Sequence, residues 1–239
     1  MRVLLRRLLG LDRNEPARRV WVRAQLEELP RGARLLDAGA GEQQYRKFCQ
    51  HLEYVSQDFG EYNGQGNQSG LQTGSWSYSS LDIICDITAI PRPDASFDAI
   101  LCTEVFEHIP DPLQALDEFH RLLKPGGALI LTAPFASLVH FAPYFFASGF
   151  SRYWYEHHLT QHGFEVIKLE ASGDWYDFLA QEIVRLPAML ARRSRMIGAL
   201  FVPASVLMLA VTRLASLLGN RTQTADVAVL GFHCVARRV

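Results

Sequence analysis

The run Leu35-Leu36-Asp37-Ala38-Gly39-Ala40-Gly41 constrains this chain more than any other stretch. It reads as a short buried strand that ends on a carboxylate and breaks at once into a glycine turn. Glycine at 39 and 41 removes two Cβ atoms, so the backbone can turn sharply and offer bare amides to a ligand. A helix starting near Glu42 and running to about His51 would aim its unpaired N–H groups and positive dipole end at that ligand. The arrangement suits a nucleotide-like small molecule, although a lone G-x-G is a common pattern.

Strands and helices alternate on either side of the turn. Residues 2–28 have helical periodicity, with arginines between the apolar positions. Residues 54–58 read as a second strand ending in Asp58, and 81–85 as a third closed by Asp86. Residues 97–102 form a fourth, apolar enough to be buried on both faces. Asp111-Pro112 starts a helix whose proline sits where a missing N–H costs little. Its apolar face is Leu113, Leu116, Phe119, Leu122 and Leu123, and Lys124-Pro125-Gly126-Gly127 ends it. Strands follow at 128–133, 164–169 and 227–235, with a helix closing over 157–162. Such alternation implies a parallel sheet with right-handed crossovers. Between strands two and three, residues 60–80 are rich in glycine, asparagine and serine. A loop this long is uncommon in a compact domain and is either a lid or a connection holding a short element.

The order of these motifs resembles the class I S-adenosylmethionine-dependent methyltransferases, in particular the small-molecule branch described as type 11. Four stretches carry the resemblance: LLDAGAG at 35–41, Asp58, CDITAIPRPDASFDAILCTEVFEHIPDP at 85–112 and LLKPGGALILTAP at 122–134. It implies a Rossmann-like three-layer α/β sandwich with a seven-stranded, mostly parallel sheet whose last strand is antiparallel. It also implies S-adenosylmethionine as cofactor. Asp37, Gly39 and Gly41 would hold its methionine end, and Asp58 would accept hydrogen bonds from both ribose hydroxyls. Asp86 would accept from the adenine amine, with Ile87 packed on the ring. Thr103 and Glu104 would face the methionine portion or the substrate, and Glu107-His108 matches the family's acid–histidine pair. The turn departs from the usual pattern at Gln43, where a third glycine is common.

Methyl transfer from a sulfonium is an in-line displacement, so alignment of the reacting atoms is the protein's main task. An oxygen nucleophile also calls for a base near neutrality, for which histidine is best suited. His108, just past the fourth strand, and His140, in the segment after the fifth, are the candidate catalytic residues. No His, Cys or Asp spacing supports a metal site. Aromatic residues crowd 135–155 and either wall a substrate pocket or pack a core.

Composition excludes little else. Net charge is −1 over 239 residues, which points away from a general nucleic-acid binder. The four cysteines are widely spaced, so neither a zinc site nor a disulfide framework is expected, and a reducing cytoplasm is the default. Residues 196–211 are uncharged, flanked by Arg195 and Arg213 and interrupted by Pro203. They read as a buried helical pair, an interfacial membrane segment or a span, the last needing roughly 20 apolar residues. The domain reading is therefore a basic helical segment at 1–30, a cofactor-binding core at 31–173, an apolar helical insertion at 174–225 and a last core strand at 226–239.

The leading function is transfer of a methyl group to a small-molecule or lipid-linked acceptor. Peripheral membrane contact would run through 183–218 and the N-terminal helix, on the cytoplasmic face of an inner membrane. The alternatives are an NAD(P)-dependent oxidoreductase, and a non-catalytic scaffold of the same fold docking at a membrane or partner.

Overall fold

The computed structural model describes residues 14–78 and 80–239. The arginine-rich residues 2–13 of the expected N-terminal helix lie outside them. The described residues divide into two compact units, Arg19–Glu170 with Gly231–Val239, and Ala171–Leu230 with Asn14–Arg18.

In chain order the elements are α1 (Asn14–Glu27), β1 (Arg34–Ala38), β2 (Glu53–Asp58), β3 (Ile83–Ile84), β4 (Phe97–Thr103), α2 (Pro112–Leu122) and β5 (Leu123–Pro134). There follow α3 (Arg152–Gln161), β6 (Phe164–Ser172), α4 (Trp175–Ala191), α5 (Arg195–Leu200), α6 (Val202–Leu218), α7 (Arg221–Ala225) and β7 (Gly231–Arg238). The sheet runs β3-β2-β1-β4-β5-β7-β6. Pairings among β1 to β5 are parallel, and β7 runs antiparallel to β5. This is the Rossmann-like α/β arrangement expected of the chain, including its inverted last strand. Strand order reverses between β1 and β4, the switch point outside which ligands of such sheets bind.

The core follows from the apolar runs. Leu35, Leu36, Ile100, Leu101 and Leu131 are inaccessible to solvent, as expected of central strands covered on both faces. Val22 and Leu26 of α1 pack against Leu35, Ala99, Leu101 and Ile130. The α2 helix buries Leu116, Phe119 and Leu122. Its N-cap Asp111 accepts from the amides of Leu113 and Gln114, both at 3.1 Å.

Four local expectations need correction. No helix forms over 42–51: Gly41 and Gln43 both adopt left-handed φ, +51° and +54°, which interrupts helical geometry. Turns lead instead to a short 3₁₀ segment at Arg46–Phe48. The third strand shrinks to Ile83–Ile84. The fifth begins at Leu123 and absorbs Lys124-Pro125-Gly126-Gly127, because Leu123 already pairs with Phe97 before the register shifts. The seventh starts at Gly231, the residues before it belonging to the helical unit.

In that helical unit, α4, α5 and α6 pack together, and α7 meets the start of α4. Asp174 caps α4 by accepting from the Asp177 amide at 3.0 Å. Arg213 of α6 reaches Asp177 at 2.8 Å, while Arg221 of α7 bonds both Asp174 and Asp177. Within this unit the Leu230 amide donates to the Ser172 carbonyl at 2.9 Å. Residues 195–218 are not a buried pair: their most apolar window is only 17 % buried.

Candidate active site

The carboxyl ends of β1, β2, β3 and β4 converge on one edge of the sheet and carry most of the expected cofactor-binding residues. At the end of β1, Gly39 turns with φ +74°. A Cβ there would stand 2.4 Å from Val105, and one at Gly41 would stand 2.7 Å from the indole of Trp76. Both positions therefore require glycine for conformation and for space. Gln57 supports the turn, its carbonyl accepting from the amides of Gly39 and Ala40 at 2.9 Å. Asp58 receives the Gly41 amide at 2.9 Å and the Gly60 amide at 3.0 Å. Burial pushes its carboxyl upward, against those amides, which favour the charged form.

Asp37, buried on β1, accepts from the Tyr54 hydroxyl at 2.6 Å. Loss of solvation lifts its pKa to about 7; the tyrosine opposes the rise and Asp58 adds to it. Gln43 explains its own departure from glycine. Its side chain donates to the Ser80 carbonyl at 3.1 Å and accepts from Arg46 at 2.8 Å, which helps a non-glycine residue hold a left-handed turn.

Asp86 lies exposed just past β3, where it accepts from the amide and hydroxyl of Thr88, both at 2.8 Å. Ile87 beside it is buried. Gln57 ties this loop to the turn by donating to the Cys85 carbonyl at 2.8 Å. At the end of β4, Thr103 pairs with Thr132. Glu104 is held at φ +54° while its amide donates to the Thr132 carbonyl at 2.8 Å and its carboxylate accepts from the Thr132 hydroxyl at 3.0 Å. A left-handed glutamate fixed by two such bonds is the kind of local strain that clusters at functional sites.

The two candidate histidines come together, their rings 4.6 Å apart. Nδ1 of His108 lies 2.5 Å from the Tyr144 carbonyl, and Nδ1 of His140 lies 2.9 Å from the Leu138 carbonyl. A carbonyl can only accept, so both Nδ1 atoms carry protons and both rings present Nε2. These Nε2 atoms stand 3.7 and 3.9 Å from the same oxygen of buried Glu107. Burial pushes the His108 pKa down to about 4, His140 adds to the fall, and the Tyr144 carbonyl resists it. At neutral pH His108 is therefore uncharged. One ligand atom from each of Glu107, His108 and His140 falls within 4.8 Å of the others, a set able to hold a cation although the sequence spacing shows no metal pattern.

Residues 60–78 contribute what the sequence reading missed. Leu71 forms a bridge to His140, with its amide on the Val139 carbonyl at 2.9 Å and its carbonyl accepting from Phe141 at 3.1 Å. Tyr62, Trp76 and Phe141 form an aromatic cluster with centroids 4.3 to 5.7 Å apart, and Phe141 also meets both histidines. The density of aromatics over 135–155 was visible; nothing local to Trp76 pointed to Gly41.

A parallel sheet with one inverted strand, and an acid–glycine turn at its switch point, defines the class I methyltransferase fold. Residues 36–131 match the family model described as "Methyltransferase domain". Among similar proteins is a ubiquinone biosynthesis O-methyltransferase of Xanthomonas axonopodis pv. citri, 33 % identical over 120 residues. That match covers 49 % of this chain and 48 % of the relative. A demethylmenaquinone methyltransferase of Deinococcus radiodurans is 32 % identical over 132 residues, covering 54 % and 53 %. The chain thus spans about half the length of the curated relatives it matches. A solved structure from Galdieria sulphuraria, described provisionally as a sarcosine dimethylglycine methyltransferase, superposes with a TM-score of 0.52. It is 19 % identical, covers 92 % of this chain and 82 % of its own, and bears on the fold alone.

Proposed function

We propose that this protein transfers a methyl group from S-adenosylmethionine to a small-molecule acceptor by in-line displacement. The observation that carries this reading is buried Asp58 at the end of β2, bonded to the Gly41 amide of the turn after β1. A carboxylate there suits a ribose diol, and glycines at left-handed φ at 39 and 41 let the turn fold back beside it. When bound, the cofactor supplies an electrophilic methyl group. The chain's own residues then have to orient the acceptor and take up its proton. We assign proton acceptance to Nε2 of His140, with neutral His108 packed against its ring and the Glu107 carboxylate stabilising the charge that results. Asp86 and Ile87 flank the adenine in this reading, and Thr103 and Glu104 border the reacting end.

The acceptor is proposed to be an oxygen-bearing aromatic ring on a lipid tail. Support comes from the quinone-related names of the relatives, from the aromatic side chains around both histidines, and from the exposed apolar helices at 195–218. Contact with the cytoplasmic face of a membrane through 183–218 and the N-terminal segment belongs to the same proposal.

Calorimetric titration tests the cofactor. S-adenosylmethionine should bind and NAD should not, and Asp58→Ala should weaken binding at least ten-fold. Binding of neither, or an Asp58→Ala variant with undiminished affinity, would refute the assignment.

A further inference from the structure

The helices of residues 195–218 wear their polarity in reverse. On α6, Ser205, Thr212 and Ser216 are buried, while Leu207, Val211, Leu214 and Leu218 are 67 %, 59 %, 59 % and 83 % exposed. With 3.6 residues per turn the two sets lie on opposite sides of the helix. On α5, a Cβ at Gly198 would stand 2.6 Å from the Pro187 carbonyl oxygen of α4, so small residues line the seam there as well. A helix in water buries its apolar stripe and shows its polar one. Small and hydroxyl residues at the helix contact, with leucines facing outward, is the arrangement of helices in lipid.

Length alone would permit a crossing: 24 residues span about 36 Å, against a hydrocarbon core of about 30 Å. Charge argues against it. The seam side of α6 rests on α4, which carries Asp177, Gln181, Glu182 and Arg185, and Arg213 of α6 is ion-paired with Asp177 at 2.8 Å. A crossing would take this network into hydrocarbon. Lying flat immerses only the leucine side and leaves the network out of the hydrocarbon. Exposed Arg192, Arg193 and Arg195 gather at one end, where they would meet lipid headgroups, so the matching surface is anionic.

We propose that residues 195–218 dock in the plane of an anionic phospholipid surface, immersed along the Leu207–Val211–Leu214–Leu218 side without crossing it. This deepens the membrane contact proposed above and is independent of the methyl-transfer chemistry. The test is flotation of the full chain with sealed vesicles of phosphatidylcholine, with and without phosphatidylglycerol. Recovery should be at least ten-fold higher with phosphatidylglycerol. Leu207→Asp with Leu214→Asp should abolish flotation without altering the circular dichroism melt, since both sites are exposed. Replacing Arg192, Arg193 and Arg195 by Gln should erase the lipid preference. Cysteines introduced singly at Ser194 and Asn220 should both react with an impermeant maleimide added outside.

Failure of the wild-type chain to float would overturn the proposal. So would full flotation of the aspartate variant, protection of one cysteine, which would mean a span, or a lipid-free dimer that the aspartate variant dissociates. S-adenosylmethionine titration of the same preparations reports separately on the enzyme reading.

Discussion

His108 and Asp37 set opposite pH dependences into one site. The His108 pKa falls from 6.5 to about 4 on folding, so the unfolded chain binds the extra proton between those values. Stability should therefore drop as pH falls from about 6.5 to 4, by up to about 3 kcal/mol from this residue. His108→Gln should flatten that limb in urea denaturation series. Asp37 is raised from 3.8 to about 7, so here the folded state holds the extra proton, and stability is lost as pH rises through that window. Asp37→Asn keeps an acceptor for Tyr54 and should match the wild type near pH 4 while exceeding it by a few kcal/mol at pH 8. The carboxylates themselves were legible in the sequence because each ends a strand. Their protonation was not, since burial depends on what the rest of the chain lays over them. The meeting of His108 with His140 was equally hidden, because the bridge from Leu71 that seats His140 has no sequence signature.

Among elements, the turn after β1 and the clamp on α4 are the most sensitive. Gly41→Ala combines a left-handed φ with a clash against Trp76, and should cost about 1–3 kcal/mol and weaken cofactor binding. Thermal melts and calorimetry with the same variant check both. At the clamp, Asp177→Ala removes the carboxylate that Arg213 and Arg221 share and leaves Arg221 with Asp174. Because Arg221 is half exposed, the expected loss is about 2 kcal/mol rather than the larger cost of a fully buried pair, read as a shifted denaturation midpoint. Strands β1, β4 and β5 were readable from their apolar runs, and α2 from its Asp-Pro start. The helix expected at 42–51 failed because its apolar spacing carried no hint that Gln43 would take a left-handed conformation. The helices at 195–218 had three readings in sequence, since periodicity cannot say which side a helix turns inward.

At the scale of the molecule, the mostly parallel sheet and its inverted β7 are as the resemblance implied, and Asp37, Asp58 and Asp86 lie at or just past the carboxyl ends of β1, β2 and β3. What no pattern revealed is the bond between Ser172 and Leu230, which brings the two ends of the helical segment to one spot. A segment whose ends coincide is, to the sheet, a closed loop. Its closure entropy grows only as the logarithm of its length, about 0.6 kcal/mol for each doubling. The chain between residues 172 and 230 can therefore lengthen, shorten or change character while the folding of the sheet scarcely registers it.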